Sequence, residues 1–412
     1  MDLQAPSPEE QTKFDALGVP VMLQSSLDIR ANGREPDLIV LSPGVPIDEP
    51  LFAAARENGI AVIGEVELAS YFLQGPVIGI TGSNGKTTTT ALIGHLLKQC
   101  GVACQVGGNI GRAVTSLVET SAEDQWNVLE LSSFQLETIY SFRARIGVCL
   151  NVTPDHLDRH HTLTNYVAAK RRLFEVQVAS DFAVLNYDDE ICRQFVNATE
   201  AEIYWFSSTQ PVPRGVVVQD GQLLYCGAPF AARTQIKLRG LHNLENIMAA
   251  ALVSILAGAE LNEIASAIES FPGVEHRLEF VREFEGVKYY NDSKATNVDA
   301  ALKAIAAFTE RLWIILGGKD KGSDYRPLRE PLKERARGVL LIGAAAQLIG
   351  AALAGAVSLT DCGTLEQAVC YARRHAKPGD IVLLAPACAS FDQFKDYEDR
   401  GMRFKQQVVQ LF

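Results

Sequence analysis

At 412 residues, 47% hydrophobic and 21% charged, the chain is too long for one ordinary core and reads as a soluble protein of roughly two to four globular units. A formal net charge of −11 excludes nucleic acid and anionic membranes as natural partners, so any phosphate-rich ligand must be met by local lysines and arginines. The eight cysteines include no C-x-x-C pair and read as buried thiols of a reducing, cytoplasmic compartment.

Short apolar β-branched runs alternate with helical patterns along the chain, the signature of α/β units built on parallel sheets. The opening MDLQAPSPEEQTKFD carries acids and prolines where a secretory signal would be basic and then apolar. The first unit, residues 1–72, contains the strand-like runs VPVML, DLIVLSPG and IAVIGE and a helix at EPLFAAARENG. A doubly wound nucleotide-binding unit opens on a strand and a glycine-rich turn. Neither precedes these runs, so one βα unit of about thirty residues is expected in front of Met1.

FLQGPV, near residues 72–77, separates this unit from a second, residues 73–272. There PVIGI predicts a strand, Gly82, Ser83, Asn84 and Gly85 a turn, and TTALIGHLL a helix. Such a loop directs backbone N–H groups and the positive helix end at a phosphate, with Lys86 as the cation and the Thr87 hydroxyl as a Mg²⁺ ligand. The general G-x-x-x-x-G-K-[ST] pattern asks for glycine at position 80, where this chain has Ile80. Further on, WNVLELSSFQLE brings Glu130 to a strand end, and NVTPDHLDRHH brings Asp155, His156 and Asp158. Lys170 falls on a helix, where a surface lysine is the simpler reading, and Asn243 and Asn246 share one face at a helix start, where capping would explain one of them.

SFPGVEHR, residues 270–277, precedes the third unit, residues 273–412. Arg277, then Asp292, Lys294 and Thr296 after a strand, then Lys319 and Lys321 in a glycine-rich turn, and Ser390 after DIVLLAP are candidates for a cleft. Taken singly, each of these charged clusters is also consistent with a solvated loop, and Ser390 with a helix cap. The uncharged run from Gly338 to Val357 breaks at Gly343 into a strand and a helix rather than a membrane span. No nucleophilic triad emerges; lysines, Mg²⁺ ligands and a glycine loop are what phosphoryl transfer requires.

The segments LSPGVP, TGSNGKTTT, GGNIG, LELSSFQLE, NVTPDHLDRH, AAKRRLF, HNLEN, HRLE, NDSKATN and APACASFDQF resemble those of the Mur ligase family, in the family's order. The loop form is also that of folylpolyglutamate synthetases, and it accounts for the missing glycine at 80. S-K-A-T-N resembles the D-glutamate-adding type. The resemblance implies a Rossmann-like first domain, a central P-loop ATPase-like domain and a Rossmann-like third. It also implies a monomer that joins D-glutamate to UDP-N-acetylmuramoyl-L-alanine through an acyl phosphate made with ATP.

By the same resemblance Gly82 to Thr88, including Lys86 and Thr87, would contact the phosphates, with Asn243, Asn246, Arg277, Asp292 and Lys294 around ATP. Thr87 and Glu130 would hold one Mg²⁺, and His156 the second together with Lys170, as a carbamate made from CO₂. Asn109 would face the UDP-sugar; Thr296, Lys321, Ser390 and Phe391 would receive D-glutamate. A nucleotide-binding protein without catalysis, and a folate-type ligase, remain as the competing readings.

Overall fold

The computed structural model describes residues 7–19, 21, 36–236, 238 and 240–411. The run VPVML lies largely outside the described residues, as does the side chain of Asp158. Three sheets follow one another along the chain. The first is a parallel pair, β1 (Leu38–Leu41) and β2 (Ala61–Gly64), with the helix Pro50–Glu57 packing Phe52 and Ala55 against Leu41 and Val62.

The second sheet comprises β3 (Val77–Thr81), β4 (Cys104–Gly108), β5 (Trp126–Glu130), β6 (Ile146–Cys149), β7 (Phe182–Asn186), β8 (Glu202–Ser207), β9 (Gly215–Gln219), β10 (Gln222–Tyr225) and β11 (Ala228–Ala232). Its order is β11-β10-β9-β8-β7-β6-β3-β5-β4, parallel from β4 to β9 and closed at one edge by an antiparallel hairpin. Ile78 and Ile80 face the helices Lys86–Gln99 and Leu241–Leu256, while Val77, Leu129 and Leu131 face the helix Leu163–Glu175 across the other side. Burial on both faces is why these strands are continuous apolar runs.

From β3 the chain moves outward to β4, returns through β5, then crosses to β6 on the other side of β3. The loop after β3 therefore sits where the strand order reverses, between the ends of β5 and β6, the place at which open α/β sheets hold ligands. Ile80 belongs to β3, opposite Glu130 and Val148, and is fully buried. A strand position in the core has no use for glycine's freedom.

The third sheet contains β12 (Glu279–Phe284), β13 (Val287–Asn291), β14 (Leu312–Gly317), β15 (Ala336–Ile342), β16 (Leu359–Gly363) and β17 (Ile381–Leu384), ordered β12-β13-β17-β14-β15-β16 with only β12 antiparallel. Because β17 inserts between β13 and β14, the loops after all three converge on one edge. The uncharged run forms β15 and the helix Ala346–Leu353, with Gly343 at φ 69° between them. Among the described residues no helix is long and apolar enough to cross a membrane.

The cysteine expectation needs correction: all eight are free thiols, but Cys226 and Cys370 are exposed. Cys226 occupies the left-handed turn between β10 and β11, and Cys370 lies on the outer face of the helix Leu365–His375.

The helix Glu65–Ser70, which follows β2, is tied to the second sheet's unit by one carboxylate. Glu67 is fully buried and accepts hydrogen bonds from the N–H groups of Tyr140 (2.8 Å), Ser141 (2.8 Å) and Phe142 (3.0 Å) and from the Tyr71 hydroxyl (2.9 Å). Burial alone would raise its pKa; the Ser141 hydroxyl and the N–H donors outweigh that and hold it below the ordinary glutamate value. Glu67→Ala orphans these donors and should cost about 3 kcal/mol in urea unfolding. With a depressed folded pKa, the stabilisation is present at neutral pH and lost as pH falls through that value. An unchanged midpoint at pH 7 would sink this account of the docking.

Candidate active site

The turn after β3 takes backbone conformations that demand glycine. Gly82 and Gly85 have φ of 151° and 87°, and a Cβ on Gly85 would lie 2.3 Å from Asn246 Oδ1. The segment that follows β6 clamps the loop. Asn151 Oδ1 accepts from Asn84 N–H (2.9 Å) and its amide donates to Asn84 O (3.1 Å), while Ser83 Oγ donates to Thr153 O (2.8 Å) and pairs with the Tyr166 hydroxyl (3.0 Å). Lys86 curls back to donate to the carbonyls of Gly82 (2.8 Å) and Ser83 (3.0 Å). Thr87 and Thr88 are buried in the first turn of the helix that starts at Lys86. The result is a rigid N–H-lined cradle at a helix N-terminus, suited to a polyphosphate.

Lys170, on the helix Leu163–Glu175, is not the surface lysine of the simpler reading. It is 1% exposed, its Nζ donates to Gly82 O at 2.8 Å, and it lies over the Tyr166 ring. Burial, followed by the neighbouring charge of Lys86, lowers its pKa to about 7. Glu130, the last residue of β5, is 2% exposed; its Oε1 accepts from the Asn109 amide at 3.1 Å and its Oε2 has no hydrogen-bond partner. His156 is exposed, in a left-handed conformation, packed edge-on against Phe134 and 3.8 Å from Asp155. Thus Lys86, Thr87 and Lys170 share the loop, and Asn109 turns toward Glu130.

Capping does not explain the paired asparagines. The helix Leu241–Leu256 is capped at Gly240 without a side-chain bond, whereas Asn243 and Asn246 are buried and the Asn246 amide donates to Asn243 Oδ1 at 3.2 Å. They line a pocket with Asn84, Thr88 and His242 on one side and Arg277, Asp292 and Lys303 on the other. His242 is held at about 4 by burial, then by Lys303 and Arg277, and so stays neutral.

The third sheet reaches this cleft with three loops. After β13, Lys294 Nζ donates to Thr87 Oγ1 at 2.7 Å, a side-chain contact from the third sheet's unit to the phosphate loop. After β17, Ser390 is buried and Phe391 is 66% exposed; Ser390 caps no helix, since its carbonyl accepts from Phe394 N–H and the next helix is capped by Asp396. After β14, Lys319 bridges to Ala389, and Lys321 is exposed close by in the chain. Thr296 is half-buried on the β13 loop.

Residues passed over in the sequence hold these loops. Arg400 is fully buried and donates to Ser293 Oγ (2.9 Å) and O (2.7 Å) and to the carbonyls of Cys388 (3.2 Å) and Ala389 (3.3 Å), joining the β13 and β17 loops. Tyr397 places its ring 5.0 Å from Lys294 Nζ. Asn151 had a local signal, a polar residue at the end of the apolar run of β6 and Leu150; Arg400 and Tyr397 had none.

Asp292 is 4% exposed, and burial pushes it up to about 6, with Arg277 and the Leu278 N–H offsetting only part. A raised folded pKa favours folding below the unfolded value, and that advantage is lost as pH rises through about 6. Asp292→Asn should therefore be more stable than the parent at pH 8, on the order of 2 kcal/mol, with the difference shrinking toward pH 4, while turnover falls. Equal melting temperatures across that range would refute the assignment.

Residues 80–254 match the Mur ligase middle domain, and residues 276–388 match the Mur ligase, glutamate ligase domain. The chain is 58% identical over 392 residues to UDP-N-acetylmuramoylalanine--D-glutamate ligase of Solibacter usitatus, spanning 95% of this chain and 88% of that protein. It is 50% identical over 403 residues to the protein of the same name from Acidobacterium capsulatum, spanning 95% and 87%. In fold it is similar to a pseudomurein peptide ligase type C from Methanothermus fervidus (TM-score 0.66, 18% identity, 97% of this chain and 92% of that one). It is also similar to the MurF ligase from Thermotoga maritima in complex with ADP (TM-score 0.64, 19% identity, 91% and 96%).

Proposed function

The chain belongs to the Mur ligase family, and on that premise we propose that it joins D-glutamate to UDP-N-acetylmuramoyl-L-alanine at the expense of ATP, as a cytoplasmic monomer. Residues 1–72 take the UDP-sugar, 73–272 the ATP and 273–412 the amino acid. The observation that carries the reading is the meeting of Lys294 with Thr87 across the cleft, which puts a cation of the amino-acid unit on the phosphate loop.

In this mechanism the L-alanyl carboxylate attacks the γ-phosphate to give an acyl phosphate and ADP, and the amine of D-glutamate then displaces phosphate. Lys86 and the loop N–H groups neutralise the polyphosphate, and Lys294 follows the charge as it moves onto the acyl group. Asn243, Asn246, Arg277 and Asp292 line the nucleotide pocket; Asn109 faces the UDP-sugar. Thr296, Lys321, Ser390 and Phe391 receive D-glutamate, Lys321 opposing its side-chain carboxylate.

The unpartnered Glu130 Oε2, buried beside a polyphosphate loop, fits a cation. Thr87 and Glu130 would hold one Mg²⁺ and His156 with Lys170 a second. A Mg²⁺ held there would supply charge neutralisation at the transferred phosphoryl group. Lys170 suits carbamoylation: a buried amine with pKa near 7 is substantially neutral, the form that adds CO₂ with loss of a proton, and the product replaces a cation by an anion beside Lys86.

The test is phosphate release from ATP and Mg²⁺ with UDP-N-acetylmuramoyl-L-alanine, with and without D-glutamate. Release that requires both is the expected result. Release that instead requires a folate and glutamate returns the folate-type reading, and ATP binding without acceptor-dependent release returns the non-catalytic one.

A further inference from the structure

The helix Val298–Ala306, which follows the β13 loop, begins with two residues that cross to the second sheet's unit. Asn297 caps it, accepting from Ala300 N–H at 2.8 Å, and its amide donates to Asp155 Oδ2 at 3.3 Å. Asp299, in the first turn, accepts on Oδ2 from the side-chain amide of Asn84 in the phosphate loop and from Lys303 Nζ at 3.1 Å; Thr153 Oγ1 lies at 3.5 Å. Asn84 is itself fixed through its backbone to Asn151, so the contact transmits loop position rather than a mobile side chain.

Lone, a carboxylate against a phosphate loop would repel the ligand. Here Lys303, four residues on, pairs with it and cancels much of that field. Lys303 also lines the pocket shared by Asn84, Gly85, Asn243, Asn246 and Arg277. One carboxylate oxygen thus fixes a pocket cation and ties the third sheet's unit to the loop.

We propose that Asp299 is a positioning residue that latches the third sheet's unit onto the phosphate loop, setting Lys303 in place for nucleotide capture; the inference rests on the nucleotide reading of that loop. Of the residues assigned to D-glutamate only Thr296 shares the β13 loop, while Lys321, Ser390 and Phe391 sit on the β14 and β17 loops, so the latch acts mainly on the nucleotide. The test titrates a non-hydrolysable ATP analogue with Mg²⁺ into the full chain by calorimetry, with small-angle scattering of the same samples. Asp299→Ala should weaken analogue binding about 5- to 10-fold and enlarge the radius of gyration of the bound state, with the KM for ATP rising in step. Asp299→Asn keeps an oxygen for Asn84 but loses the charge for Lys303, and should weaken binding only about 2- to 3-fold.

The KM for D-glutamate at saturating ATP should stay at the parent value in both variants. Asp299→Ala that melts normally, binds the analogue as tightly as the parent and scatters identically overturns the latch alone. A parent chain that binds no analogue overturns the nucleotide reading and the latch with it.

Discussion

Lys170→Ala is expected to lower D-glutamate-dependent phosphate release by about 10³-fold or more, the scale of removing a preorganised charge from a reacting centre. The lysine is 1% exposed and shares its acceptor, Gly82 O, with Lys86. Two ammonium groups on one carbonyl, Lys170 buried and Lys86 half-buried, repel each other, which adds to burial in lowering the Lys170 pKa to about 7. On the proposed reading, in which the site also takes Mg²⁺, a second cation there would add nothing, and a carbamate would remove the conflict. Stripping dissolved CO₂ should therefore slow the parent enzyme, bicarbonate should restore it, and Lys170→Ala should be indifferent to both. Lys170→Glu, which offers a carboxylate on a shorter stem, should keep more activity than the alanine variant. Turnover of the parent that ignores CO₂, or an alanine variant as active as the parent, would remove the carbamate from the mechanism.

What could be read from the residues divides by how far apart the partners lie in the chain. The phosphate loop was legible because strand, turn and helix are contiguous, and Ile80 puzzled only against a pattern in which that position belongs to the turn; here it completes β3. Parallel strands were legible because both faces are buried. The β9–β10 hairpin was passed over although Asp220 and Gly221, both at positive φ, form a recognisable Asp-Gly turn. Glu67 with Ser141, Ser83 with Tyr166 and Arg400 with Ser293 are pairs 74, 83 and 107 residues apart, and no local spacing announces them. Such buried polar groups are visible only once the fold has supplied their partners. The same holds for the β17 loop, where Phe391, implied by the resemblance, is 66% exposed, and Tyr397, which no local pattern announced, turns its ring to Lys294.

Lys294→Ala should lower kcat by about 10³-fold, roughly 4 kcal/mol, with the KM for ATP moving only a few-fold. The ammonium sits 2.7 Å from Thr87 Oγ1, while its backbone belongs to the β13 loop of the other sheet. On the proposed reading Lys86, the loop N–H groups and Arg277 already serve uniform binding of ATP, so the particular contribution of Lys294 would lie in charge that appears only as the phosphoryl group moves to the carboxylate. A compact point charge with three donors can follow that movement, whereas a planar guanidinium is fixed to one fork. Lys294→Arg should accordingly keep ATP binding near the parent value yet recover only a small part of kcat. Steady-state kinetics with ATP and D-glutamate varied separately decides between the outcomes. A loss confined to the KM for ATP would make Lys294 an ordinary nucleotide clamp, and an arginine variant at full kcat would show that charge alone, without its mobility, is what the site uses.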